Sequence, residues 1–173
     1  LLAALLDAIR IDAAGCGARL IFLGDLIDRG PESRHCLDLA IKALREFPAS
    51  RLILGNHEEF LLRFLDPDED RKAIARHWFA NGGHATLKSY GFDERERIDT
   101  LAERFESECP CHIALLRAAD WMVEDDRHAF VHGGIDPLLP LGQQDPHVTR
   151  WIRGEFLAFS GRLPKIVVHG HTP

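Results

Sequence analysis

Arg19-Leu20-Ile21-Phe22-Leu23-Gly24-Asp25-Leu26-Ile27-Asp28-Arg29-Gly30-Pro31 is the stretch on which the reading of this chain turns. Its first half is short, apolar and rich in β-branched and aromatic residues, which is the pattern of a buried strand. The run stops at Gly24, and two carboxylates and a guanidinium follow by Arg29. Carboxylates at the exit of a buried strand are costly to desolvate unless they hold a cation or pair with one. Gly24 permits a sharp turn, and Gly30-Pro31 closes the loop before the next helix. In open α/β sheets, ligands sit beyond the carboxyl ends of strands. Taken alone, an acidic loop salted to its own arginine is the plainer reading.

The loop does not stand alone. Arg51-Leu52-Ile53-Leu54 is a second short strand, ending in Gly55-Asn56-His57-Glu58. Ala129-Phe130-Val131 runs into His132-Gly133-Gly134, and Ile166-Val167-Val168 into His169-Gly170-His171-Thr172. Each time an apolar strand breaks at glycine beside Asp, Asn or His, the side chains that hold divalent metals through oxygen and imidazole nitrogen. A dinuclear metal site at one rim of a sheet explains all four together.

In the order GD-x-x-DRG, GNHE, HGG and GH, these motifs resemble the calcineurin-like metallophosphoesterases, and more narrowly the bacterial phosphoprotein phosphatases. The likeness runs from Leu20 to Pro173, with softer landmarks at 78–83 and at Trp151-Ile152-Arg153. It implies an α/β fold, a β-sandwich flanked by helices with a helical insert at about 59–119, in one domain spanning 1–173. Family members have a further D-x-H-G strand before the first helix and more strands after the last motif, so the sequence is expected to lack parts at both ends. The resemblance also implies two divalent ions, Mn2+ before Fe or Zn. Asp25 bridges them, and Asn56, His132 and His171 complete one ion's ligands. His169 is expected to support the ligands from behind or to pack, since the family's ligand directly follows the glycine. Pro173 stands where the wider superfamily often has another histidine.

Phosphoester hydrolysis asks more of the loops than metal binding. Two metals about 3.5–4 Å apart acidify a water and clamp the phosphoryl oxygens. A leaving oxygen needs a proton donor near neutral pH, which histidine supplies. His57, beside Asn56, fits that part, with Asp28 as its partner. Arg29 and Arg153 match the family's phosphate clamps, being planar and permanently charged. Glu58 is expected to fix its loop. The expected activity is that of a serine/threonine or dual-specificity protein phosphatase, acting on phosphorylated protein or a small phosphoester. The alternative is a symmetrical dinucleoside tetraphosphate hydrolase, a group that tends to replace the second Asp of GD-x-x-DRG and to carry GNHD. Asp28 and Glu58 favour the phosphatase. The acids Asp93, Glu94, Glu96, Asp99 and Glu103 would repel polyanionic dinucleotides if they faced the site.

Composition bounds the rest. The chain of 173 residues is long enough for one domain with a sizeable core. Lysine and arginine number 21 against 27 acids, so the net charge of −6 argues against a nucleic-acid surface. No apolar run approaches the ~20 residues of a bilayer span. Leu1 to Ala8 has no basic leader and contains Asp7. Cys16, Cys36, Cys109 and Cys111 form no CxxC pair and read as free thiols in a reducing cytoplasm.

Helical periodicity predicts an opening helix on Leu1, Leu2, Leu5, Leu6 and Ile9. It predicts a second helix capped by Ser33, with Cys36, Leu37, Ala40, Ile41 and Leu44 as its buried stripe. Strand, helix, strand then requires parallel pairing of the first two strands. The segment 58–119 reads as helical throughout, broken at Asp66-Pro67 and Asn81-Gly82-Gly83, and is expected to cap the metal rim. A hairpin over 121–131 and a short helix over 148–156 lead to the last strand.

Overall fold

The computed structural model describes residues 1–14 and 17–172. Their first helix, α1 (Leu2–Asp12), buries Leu6 and is tied by Arg10 to Glu46 of α2 through hydrogen bonds of 2.8–2.9 Å. Two strands flank α2 (Ser33–Glu46): β1 (Ile21–Phe22) pairs in parallel with β2 (Arg51–Leu52), Ile21 opposite Arg51. That is the parallel pairing a strand–helix–strand sequence demands. A second sheet is built from β3 (Met122–Glu124), β4 (His128–Val131) and β5 (Ile166–Val168), with β3–β4 an antiparallel hairpin and β4–β5 parallel. The expected α/β organisation holds, as two small sheets flanked by helices.

Between the sheets the chain runs through α3 (Asn56–Leu65), α4 (Arg71–Ala80), α5 (Gly83–Ser89), α6 (Ile98–Glu108) and α7 (Pro110–Arg117). These helices, packed on α2 and on one another, supply most of the main hydrophobic core. Leu61, Phe64, Trp78, Leu101 and Phe105 are fully buried there. Trp78 leans on Phe64 and Phe105 at centroid distances of 5.2 and 6.2 Å. Burying each such side chain contributes about 1.5–3 kcal/mol. The helical segment is thus the scaffold behind the rim as well as its neighbour. Asp70 caps α4 by accepting the N–H groups of Lys72 and Ala73, which explains the restart after Asp66-Pro67.

Two local expectations are corrected. Ser33 does not cap α2; it lies inside the first turn, and its Oγ accepts the Asp28 N–H at 3.1 Å. The single helix expected over 148–156 is two, α8 (Pro146–Trp151) and α9 (Gly154–Leu157). Arg153 breaks it with φ −136° and ψ −88°, outside the helical basin. The acids of the charged segment are also matched locally. Glu94 pairs with His84, Glu96 with Arg104 and Asp99 with Arg71, at 2.9, 2.6 and 3.3 Å. Two of the five acids, Glu96 and Asp99, thus have an arginine beside them, which weakens the field from which repulsion of polyanions was expected.

Cys36, Cys109 and Cys111 are free thiols, and Cys16 lies outside the described residues, as does Pro173. No helix among the described residues is long and apolar enough to cross a membrane.

Gly82 shows how the core fixes the rim. It sits at φ 109° ahead of α5, and its carbonyl accepts the Arg29 N–H at 3.2 Å. A Cβ there would stand 2.8 Å from Arg29 Cγ and 2.9 Å from Arg29 N. Gly82→Ala should therefore cost ~2 kcal/mol by strain and contact together. Urea unfolding checks this, and an unchanged midpoint would refute the close approach.

Candidate metal centre

All four motif loops leave strands at the same rim. Gly24 and Gly55 let the first two cross at close quarters. A Cβ on Gly24 would meet Gly55 N at 2.5 Å, and one on Gly55 would meet Asp25 N and Oδ1 at 2.5 Å. Only hydrogen fits at either place, which is the physical content of the two glycines.

Glu58 locks the crossing. Its carboxylate is wholly buried and accepts the N–H groups of Asp25 (2.8 Å), Leu26 (2.6 Å), Ile27 (3.2 Å) and Gly55 (3.0 Å). Burial and the Asp25 charge push this carboxyl up to about 7, against the pull of the N–H donors. Glu58 is thus turned inward on its own loop and faces no substrate.

The clamped loop is strained. Among the described residues, the non-glycine positions with positive φ are Asp25 (56°), Asp28 (70°), Arg29 (58°) and His171 (61°). Each costs about 1–2 kcal/mol. Such strain persists where surrounding structure over-determines it, commonly at functional sites. Every one of these residues is a candidate from the motifs.

His132 stands at the centre, 1% exposed. Its Nδ1 lies 2.5 Å from the Leu23 carbonyl, which can only accept, so Nδ1 carries the proton and Nε2 presents a lone pair. That lone pair faces Asn56 Oδ1 at 3.0 Å, His171 Nδ1 at 3.1 Å and Asp25 Oδ1 at 3.4 Å. With His171 in the matching tautomer, all of these atoms can turn lone pairs toward one cation placed among them. Donors held at about 2.0–2.2 Å from one ion stand about 3.0–3.5 Å apart, the spacing found here. Asp25, His132 and His171 each bring a ligand atom within 4.8 Å of the others. Burial lowers the pKa of His132, and burial with the nearby His132 lowers that of His171 to about 4, so both imidazoles are in the neutral, ligating form. His171 Nε2 is buried without a protein partner. A backbone carbonyl on the far nitrogen of a metal-binding histidine is the usual means of orienting it. The residues present fit a divalent cation.

His57 is beside this cluster but outside it. Its Nδ1 lies 2.7 Å from Asp28 Oδ2, and both groups are buried. Asp28 is held in turn by Trp78 Nε1 at 2.9 Å and Thr86 Oγ1 at 2.6 Å. Burial opposes a charge on His57, but the Asp28 hydrogen bond and the charges of Asp25 and Asp28 raise its pKa. The backbone N–H of His57 reaches Asp25 Oδ1 at 3.3 Å.

The two arginines are exposed and do not touch the cluster. Arg29 projects from the strained loop, and Arg153 Nη1 donates to Thr172 Oγ1 at 3.1 Å, beside His171. His169 packs edge-on against Phe156 at 5.1 Å, a packing position.

Sequence reasoning missed Glu59. Its buried carboxylate accepts from Arg150 Nη2 (2.9 Å) and Trp151 Nε1 (2.5 Å), with His147 at 3.2 Å, and so ties α3 to α8. An acid on a helix beside GNHE was the available signal, but nothing in the spacing connects 59 with 150.

Residues 2–173 match the calcineurin-like phosphoesterase family. The chain belongs to that family. It is a family of metal-dependent enzymes, which agrees with the cluster at the rim. A symmetrical bis(5'-nucleosyl)-tetraphosphatase of Chromohalobacter salexigens is 34% identical over 143 residues, covering 79% of this chain and 43% of that protein. Another, from Janthinobacterium sp. (strain Marseille), is 31% identical over 128 residues, covering 74% of this chain and 37% of that protein. The chain therefore spans less than half the length of these curated relatives. A crystal structure of a proposed diadenosine tetraphosphatase superposes on 96% of this chain and 68% of its own, with TM-score 0.57 and 19% identity, and supports the calcineurin-like fold.

Proposed function

We propose that this calcineurin-like domain hydrolyses dinucleoside tetraphosphates symmetrically, with Asp25, Asn56, His132 and His171 holding one of two divalent ions. What carries the substrate reading is the pair of tetraphosphatases similar to most of this chain. The ions, with Mn2+ the first choice, would supply an acidified water and neutralise charge on the phosphoryl oxygens. Asp25 would lend its carboxylate to holding them. His57, charged through Asp28, offers a proton to the departing oxygen. Arg29 and Arg153 lie exposed at the rim, where they can steer and bind phosphate. The free cysteines suit a reducing cytoplasm.

The sequence reading favoured a protein phosphatase on the strength of Asp28 and Glu58. Glu58 spends its carboxylate on the N–H groups of its own loop, so its identity reflects loop geometry and leaves substrate choice open. Asp28 still favours a second reading, a phosphomonoesterase. A buried Asp28–His57 pair is rewarded most when the leaving group is a poor one, such as a serine alkoxide, and less when it is a nucleotide.

The test is kcat/KM with Mn2+ for diadenosine tetraphosphate against a phosphoserine peptide. The dinucleotide should win by at least about tenfold. A peptide that wins instead would promote the phosphomonoesterase.

A further inference from the structure

Beside the metal rim lies a cleft of about 760 Å3, bounded by the loop after β4 and by α8 and α9. Its volume is within the roughly 300–1,000 Å3 of small-molecule sites. Trp151, Ile152, Val148 and Phe159 give it apolar and aromatic walls, and Asp136 and Arg153 are among its few charged members.

Two of the cleft's residues adjoin the rim. The Trp151 ring stands 6.4 Å from the His171 ring, and Arg153 is tethered to Thr172. Trp151 is also immobilised: its Nε1 donates to Glu59, and its ring packs edge-on against Phe60 at 5.3 Å. A fixed aromatic wall beside a phosphate site, with an arginine between the two, is complementary to one kind of molecule. A phosphate chain leaving the rim past Arg153 delivers whatever it carries into an apolar, aromatic slot. A nucleobase is flat, uncharged and able to stack on any aromatic face, a contact that contributes substantially per base. Asp136 disfavours further phosphates in the slot and accepts N–H or O–H donors of a base or ribose.

We infer that this cleft is a nucleoside subsite, taking the base and ribose of one half of the substrate. The inference rests on the dinucleotide reading above, and extends it to the residues that would recognise the nucleoside.

Ala158 and Phe159 line the cleft and take no part in the metal cluster or the His57–Asp28 pair. Ala158→Trp fills the slot, and Phe159→Ala removes a wall. Two readouts are needed: steady-state kinetics with diadenosine tetraphosphate and with p-nitrophenyl phosphate, and calorimetric binding of ADP. Ala158→Trp should raise KM for the dinucleotide and weaken ADP by at least about tenfold, with p-nitrophenyl phosphate turnover within about twofold of the parent. Phe159→Ala should shift the same two quantities in the same direction by a smaller factor. If both variants keep dinucleotide KM and ADP affinity within about twofold, the subsite is refuted while the hydrolase reading stands. If the parent fails to cleave diadenosine tetraphosphate, yet Ala158→Trp weakens ADP, the subsite stands and the reaction assignment falls. A parent that binds no ADP overturns the subsite.

Discussion

Glu58→Ala should cost at least ~3 kcal/mol of unfolding free energy and remove most of the affinity of the protein for Mn2+. The variant leaves N–H groups of Asp25, Leu26, Ile27 and Gly55 without their acceptor, those of Ile27 and Gly55 fully buried. An orphaned buried donor costs about 1–3 kcal/mol, and some of the loss is recovered as the loop relaxes. That relaxation is what destroys the site. Asp25 is held at φ 56° only while its N–H is bound, and its carboxylate faces His132 only in that conformation. Urea unfolding and Mn2+ titration check the two halves separately. A variant within about 1 kcal/mol of the parent, with Mn2+ affinity retained, would show that the loop is held by other contacts. Glu58→Gln should fall between, because one carbonyl oxygen still accepts while the amide nitrogen meets N–H donors.

The strand-end motifs were legible in the sequence because each is local. A short apolar run, a glycine and a metal-binding side chain are contiguous, and they imply their own geometry. So Asp25, Asn56, His132 and His171 could be named before any coordinates, and the structure brings them to one point. What holds those motifs together was far less legible. The partners of Asp28 come from residues 57, 78 and 86, and those of Glu59 from 147, 150 and 151. Such contacts depend on how helices pack, and periodicity tells which face is buried, not what it meets. The strained φ angles were invisible for a similar reason. Asp and Arg at φ > 0 violate local preference, and only the completed fold makes them necessary.

The charged segment shows a different limit. Most acids between Asp93 and Glu108 are exposed, but ion pairs reaching across helices, such as Asp99 with Arg71, leave no trace in composition. Counting signs along a helix overstates the field when the counter-charges sit on the neighbouring helix. Substrate preference inferred from that field pointed away from dinucleotides, and the field it was inferred from is partly offset by the paired arginines.

His57→Asn should keep Mn2+ and lose about 10²–10⁴ in turnover, the usual worth of a positioned general acid. Metal is retained because the ring of His57 is committed to Asp28 at 2.7 Å, and only its backbone N–H touches Asp25. A variant that loses its Mn2+ would make His57 a ligand. The loss should grow with the basicity of the leaving group, larger for a phosphoserine peptide than for p-nitrophenyl phosphate, since a good leaving group needs less protonation. A merely structural role would lower both equally. Asp28→Asn should produce a smaller loss, and the double variant should be little worse than His57→Asn, as expected of residues acting as one unit. The pH profile gives a further check. The pKa of His57 is raised above 6.5 by Asp28 and Asp25 despite burial, so the imidazolium survives to higher pH, and activity should fall only as pH climbs past that raised value. Removing the Asp28 charge lowers the pKa, so in Asp28→Asn the alkaline fall must begin at lower pH; an unmoved fall would mean that the titrating acid is not His57.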